Sequence, residues 1–145
     1  MEVRWATIFD FSHICAMLTT MHAESEIELG SISPKKLSEI VLRTINDGAV
    51  LVALDDGKII GSIGGGPATE WWSDDLIFGD LWFYVYKQNR ESKAGIQLIK
   101  KFIDAGAGMN IKLGHIYNGD MDRKDMFYER LGLNKVGSTY IMENK

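Results

Sequence analysis

The sequence predicts one mixed α/β domain in the order β-α-α-β-β-β-α-β-α-β, and three stretches carry that expectation. The first is residues 79–102, GDLWFYVYKQNRESKAGIQLIKKF. Leu81 to Tyr86 is an aromatic and aliphatic run of the kind buried on both faces of a sheet. Ile96, Ile99 and Ile103 then recur at helical spacing, with Leu98 and Phe102 beside them. The second stretch is a pair of apolar runs, residues 49–54 and 58–63, joined by Asp55-Asp56-Gly57, where Asp-Gly supplies hairpin geometry. The third is Ser33-Pro34, a cap followed by a first-turn proline, ahead of the buried face Leu37, Ile40, Val41, Thr44 and Ile45.

The remaining elements follow from simpler signals. Residues 3–8 read as a short first strand, and Asp10 is placed to cap the helix carrying the stripe Ile14, Met17, Leu18 and Met21. Gly64-Gly65-Gly66-Pro67 reads as the end of the second hairpin arm. It is not a phosphate loop, since no Gly-Lys-Ser/Thr follows. Trp71 and Trp72 fall in a loop or hairpin tip, and adjacent strand residues face opposite ways, so at most one belongs to the core. Residues 111–117 read as a strand and 122–131 as a short helix with Met126, Phe127 and Leu131 inward, stopped at Gly132. Residues 133–142 read as a last strand interrupted by Gly137.

At 145 residues, 46% hydrophobic and 25% charged, the chain fits a single globular domain over residues 1–145. A net charge of −4 argues against nucleic acid as the main partner. One cysteine, Cys15, and three scattered histidines give no zinc spacing, so no metal is expected. No apolar run approaches the roughly 20 residues of a membrane span, and the first residues lack a signal-peptide pattern. The expectation is a cytoplasmic protein without a membrane partner.

Between the strand and helix of residues 79–102 lies KQNRESKAG, with Arg90, Ser92 and Lys93 ahead of a helix start. Helix N-terminal N–H groups bind anions, so this turn reads either as a phosphate cradle or as an ordinary solvated turn. Val85-Tyr86-Lys87-Gln88-Asn89-Arg90-Glu91-Ser92-Lys93-Ala94-Gly95 resembles the signature Val-x-x-x-x-Arg/Gln-x-x-Gly-x-Gly/Ala of the GNAT superfamily of N-acetyltransferases, matching at Val85, Arg90 and Gly95. Lys93 stands where the first glycine is usual, and Glu91 replaces another. Phe127-Tyr128-Glu129-Arg130-Leu131-Gly132-Leu133 is similar to a second signature, Leu-Tyr-Glu-Lys-Leu-Gly-Phe. The resemblance covers essentially the whole chain, most closely small phage and bacterial members. It implies a GNAT-like acyl-CoA N-acyltransferase fold, a mixed sheet of six to seven strands with about four helices.

The activity it implies is transfer of acetyl from acetyl-CoA, the cosubstrate, to a primary amine by direct attack in a ternary complex. The acceptor would be a protein lysine or N-terminus, a polyamine or a small-molecule amine. Cofactor-binding positions are then Tyr84, Val85, Tyr86, Arg90, Glu91, Ser92, Lys93, Ala94, Gly95 and Asn118. Tyr128 aligns with the tyrosine that protonates the departing sulfur, a task suited to a phenol with pKa near 10. Asp80 stands near the strand carboxylate many members use, but one residue out of register and so aimed at the opposite face. Glu24, in the loop beside the substrate end, is therefore the candidate base. Trp71, Trp82 and His22 are candidates for the acceptor site, since aromatic faces accept cations and apolar groups alike. Each of these also has a packing or surface reading. Rival expectations are a catalytically inactive GNAT-fold binding or structural protein, possibly phage-encoded, and an enzyme using longer acyl thioesters. A homodimer is compatible with such a fold, though no interface is specified.

Overall fold

The structure, a computed structural model, describes residues 1–25, 30–114 and 121–144. Its elements are β1 (Glu2–Trp5), α1 (Phe11–Ala23), α2 (Pro34–Asp47), β2 (Ala49–Asp55), β3 (Lys58–Thr69), β4 (Leu76–Val85), α3 (Ala94–Ala105), β5 (Asn110–Lys112) and α4 (Met121–Arg130). The five strands form one sheet in chain order. Neighbours are antiparallel except β4 and β5, which run parallel because α3 crosses between them.

Alternation along β2 sorts the two layers of the core. Ala49, Leu51 and Ala53 pack with Leu98, Ile99 and Phe102 of α3, while Val50 and Val52 pack with Ile14 and Leu18 of α1 and Val41 of α2. Both faces are covered, which explains why the strand is apolar throughout. The β2–β3 turn has positive φ at both central residues, Asp56 (52°) and Gly57 (77°), as a two-residue hairpin of this hand needs. Ser33 caps α2 by accepting from Lys36 N–H at 3.2 Å, with Pro34 in its first turn.

Several expectations are corrected. β1 stops at Trp5 and Ile8–Asp10 forms a 3-10 turn. Asp10 does not cap α1: its carboxylate accepts from Thr7 N–H at 2.8 Å and is gripped by Arg4 at 2.8 and 3.1 Å. The glycine run continues β3 to Thr69 instead of ending it. Phe127 and Tyr128 of α4, with Leu131 just after it, pack on the α3-side core, whereas Met126 is exposed. Residues 133–144 form no strand, leaving five strands among the described residues in place of six to seven. The expected strand over 111–117 is described only to Gly114, and of its residues only Ile111 and Lys112 pair.

Candidate active site

The glycines of β3 make the site possible. A Cβ at Gly64 would fall 2.2 Å from the Trp82 ring, and one at Gly65 would fall 2.0 Å from the Gly79 carbonyl oxygen. With no side chains there, β3 and β4 close up around a bulge. Gly64 pairs with Trp82 and Gly65 with Asp80, so Leu81 is the extra residue. A bulge reverses which face the following residues take. Phe78, before it, shares the α3-side core with Phe83 and Val85 after it, while Trp82 joins the α1/α2 core. Strict alternation across Leu81 would have put Phe78 and Trp82 on one face.

The same bulge marks where the sheet opens. Among the described residues, β4 pairs with β5 only from Ile77 with Asn110 to Gly79 with Lys112. Two residues on, Gly114 N–H donates at 3.0 Å to the Asp80 side chain, not to the β4 backbone. A groove of about 510 Å³ lies over this point, carrying Asp47, Glu70 and Asp80 together with Arg43 and Lys112. Lys112 is paired with Glu70. Tyr128 of α4 packs against the α3-side core; burial pushes its phenol well above the ordinary value, and the Asp80 charge pushes it further. The Asp80 carboxylate, held by Gly114 N–H where β4 and β5 part, is therefore within electrostatic reach of the protonated Tyr128 phenol. Counting register from the sequence set Asp80 aside; the bulge that restores it left only the glycine run as a signal.

At the other end of β4, Val85 leads through a 3-10 turn, Lys87–Asn89, to the start of α3. Ser92 Oγ accepts from Ala94 N–H at 3.2 Å and donates to Asn89 O at 2.6 Å, fixing the turn. Lys93 occupies the cap position of α3 and makes no side-chain bond to the helix. The first-turn N–H groups, with Lys87, Arg90 and Lys93, suit a phosphate, and exposed Glu91 is the one opposing charge in the turn. Gly95 turns the other way: a Cβ there would touch Phe83 at 3.4 Å, so it serves helix–sheet packing.

Arg90 reaches back along the strand. Its Nε donates to Val85 O at 3.0 Å, its Nη2 donates to Glu24 Oε1 at 3.1 Å, and its guanidinium lies 5.3 Å from the Tyr84 ring centre. The Tyr84 hydroxyl donates to the other Glu24 oxygen. Burial, then the Glu24 bond, hold that phenol well above its ordinary value. Glu24 thus sits with the phosphate turn, both oxygens engaged. His22 Nε2 lies 2.9 Å from Gly30 O. Trp82 is not a lining residue: it is 5% exposed and donates from Nε1 to Ser62 Oγ at 3.0 Å. Trp71 and Trp72 are both exposed, edge to face at 5.4 Å, so neither is core. Asn118 lies outside the described residues.

No family model matches the sequence, and no curated protein matches it. Solved structures do. The chain has the fold of GNAT-type acetyltransferases, spanning its neighbours nearly end to end. A possible acetyltransferase from Clostridium difficile 630 superposes with TM-score 0.74 at 16% identity, over 99% of this chain and 97% of that one. An aminoglycoside antibiotic 6'-N-acetyltransferase from Acinetobacter haemolyticus gives 0.73 at 13%, over 100% and 99%. A ribosomal-protein-alanine N-acetyltransferase from Brucella melitensis biovar Abortus 2308 gives 0.68 at 15%, over 99% and 100%. Identities this low establish the fold and leave the chemistry to the residues.

Proposed function

We propose that this protein is an acetyl-CoA-dependent N-acetyltransferase acting on a primary amine by direct attack in a ternary complex. The observation that carries the reading is Asp80 held at the opening between β4 and β5 by Gly114 N–H, with the buried Tyr128 phenol within reach of its charge. Acetyl-CoA supplies an acyl group already activated as a thioester. The first turn of α3 with Arg90, Ser92 and Lys93 holds the phosphates, and the strand around Val85 orients the pantetheine arm. Asp80 takes a proton from the acceptor ammonium, the neutral amine attacks the thioester carbonyl, and as the carbon–sulfur bond breaks Tyr128 Oη, kept protonated by burial, gives a proton to the departing sulfur. Asp47 and Glu70 in the same groove favour a cationic acceptor.

A structure of a 6'-N-acetyltransferase of this fold with CoA supports the choice of cosubstrate. The second reading, a binding module without turnover, draws on Lys93 and Glu91 in the phosphate turn. Thermal unfolding with acetyl-CoA, CoA and ATP tests the cleft: a ligand at 100 times its Kd adds about 2.7 kcal/mol, a shift of several degrees. Release of CoA thiol in the presence of an amine panel then tests turnover. A shift specific to CoA compounds with turnover supports the proposal. A shift without turnover, and with Asp80→Asn indistinguishable from the parent, favours the binding module. No shift at millimolar acetyl-CoA removes both.

A further inference from the structure

Glu24 has an arrangement that proton abstraction does not need. It ends α1, yet one oxygen accepts from Tyr84 and the other from Arg90 at 3.1 Å, across 60 and 66 residues of sequence. Arg90 in turn spends Nε on the Val85 carbonyl and lies against the Tyr84 ring. Glu24 is mostly buried here, with a side-chain exposure of 21% against 44% for Arg90. A base must be free to receive a proton. This carboxylate instead has a donor on each oxygen, and it neutralises the cation that the phosphate turn would present.

We infer that Glu24 is a resident counter-ion that a polyphosphate must displace from Arg90, and that it thereby sets the affinity and anion selectivity of the cofactor site. The inference rests on the acetyl-CoA reading above. A weakly charged anion gains too little at Arg90 to replace a tethered carboxylate, whereas a pyrophosphate brings more than one charge and the α3 amides as well. Displacement leaves Glu24 held by Tyr84 alone, so cofactor loading loosens the tie between the end of α1 and the phosphate turn. Glu24 is then a selectivity residue rather than the base.

The test is calorimetric titration of CoA into the parent protein, Glu24→Gln, Arg90→Gln and the double variant at fixed ionic strength. Glu24→Gln should bind CoA about two- to fivefold tighter, the worth of one partly exposed ion pair. The same change made on the Arg90→Gln background should alter affinity little. Glu24→Asp, which keeps the charge but shortens its reach, should fall between, and it carries the test if Glu24→Gln does not fold. Equal or weaker binding by both Glu24 variants overturns the inference, as does an equal gain with and without Arg90. If the parent and all variants leave CoA unbound, the acetyl-CoA reading fails and the inference goes with it. That result differs from a parent that binds but does not respond to Glu24.

Discussion

A methyl group at position 65 is the sharpest perturbation the sheet offers. It would lie 2.0 Å from the Gly79 carbonyl oxygen and 2.7 Å from Asp80 Cα, all of it backbone with no flexible end to yield. Carbon–oxygen contacts between strands settle near 3.3–3.6 Å, so β3 and β4 must part by roughly 1.3 Å or more at the bulge. Overpacking of this kind costs about 1–3 kcal/mol, and one or two weakened ladder bonds add about 1 kcal/mol each. The unfolded-state gain from replacing glycine returns only about 0.4–1 kcal/mol. Gly65→Ala should therefore lose roughly 1–4.5 kcal/mol, or about 3–15 °C in Tm for a domain of this size. Thermal and urea unfolding measure the loss. Asp80 moves with the bulge, so activity at a temperature where the variant is fully folded should fall as well. A variant within 2 °C of the parent (a resolution any scanning method reaches) would refute the tight bulge and with it the face assigned to Asp80.

The remaining predictions concern single groups. Tyr128→Phe should lower turnover while leaving acetyl-CoA affinity nearly intact, since the phenol acts on the leaving sulfur; unchanged turnover would remove that role. Because burial and Asp80 both raise the Tyr128 pKa, the alkaline fall in rate due to Tyr128 should lie above that of an ordinary phenol. Any residual activity of Asp80→Asn should fall off at lower pH than the parent's, because one of the two causes has gone; a pH–rate profile of both reads this. Gly95→Ala should stabilise the protein by about 0.5–1 kcal/mol, since the new methyl meets Phe83 at an ordinary contact distance inside a helix; a lower Tm would refute that packing. Asp10→Asn should cost about 1–2 kcal/mol at pH 7, a modest figure because Arg4 is 38% exposed. The Arg4 hydrogen bond, with help from Thr7 N–H, holds the Asp10 pKa below its ordinary value. Its contribution is complete above the unfolded value near 3.9 and is lost as pH falls through the lower folded one. Urea midpoints of parent and variant should converge as pH drops below about 3.9, and a gap undiminished at pH 2 would contradict this.

What could be read without coordinates was whatever local chemistry decides. Ser33-Pro34 and Asp56-Gly57 act within a few residues, so the start of α2 and the hairpin turn were legible. Stripes buried against one partner, such as Ile14, Met17 and Leu18, were legible for the same reason. Residues whose partner is distant in sequence were not. Asp10 looks like a cap until Arg4 is seen to grip it, and Trp82 looks like a lining residue until Gly64 and Ser62 make room and a bond for it. Glu24, Tyr84 and Arg90 were each singled out, but nothing local joins them. A strand-like pattern over 133–142 predicts a partner that the described residues do not provide.

Leu81 gives β4 the character of two short strands spliced out of phase. Upstream the odd-numbered neighbours belong to one layer, downstream to the other, and a single unpaired residue performs the exchange. Removing Leu81 would make Asp80 and Trp82 consecutive ladder residues on opposite faces, so Trp82, Phe83 and Val85 would keep their layers while the bulge itself disappeared. Insertions and deletions in the loop before β4 change only the length of a connection. Within β4, Leu81 is the residue whose loss would spare both cores and erase only the opening between them.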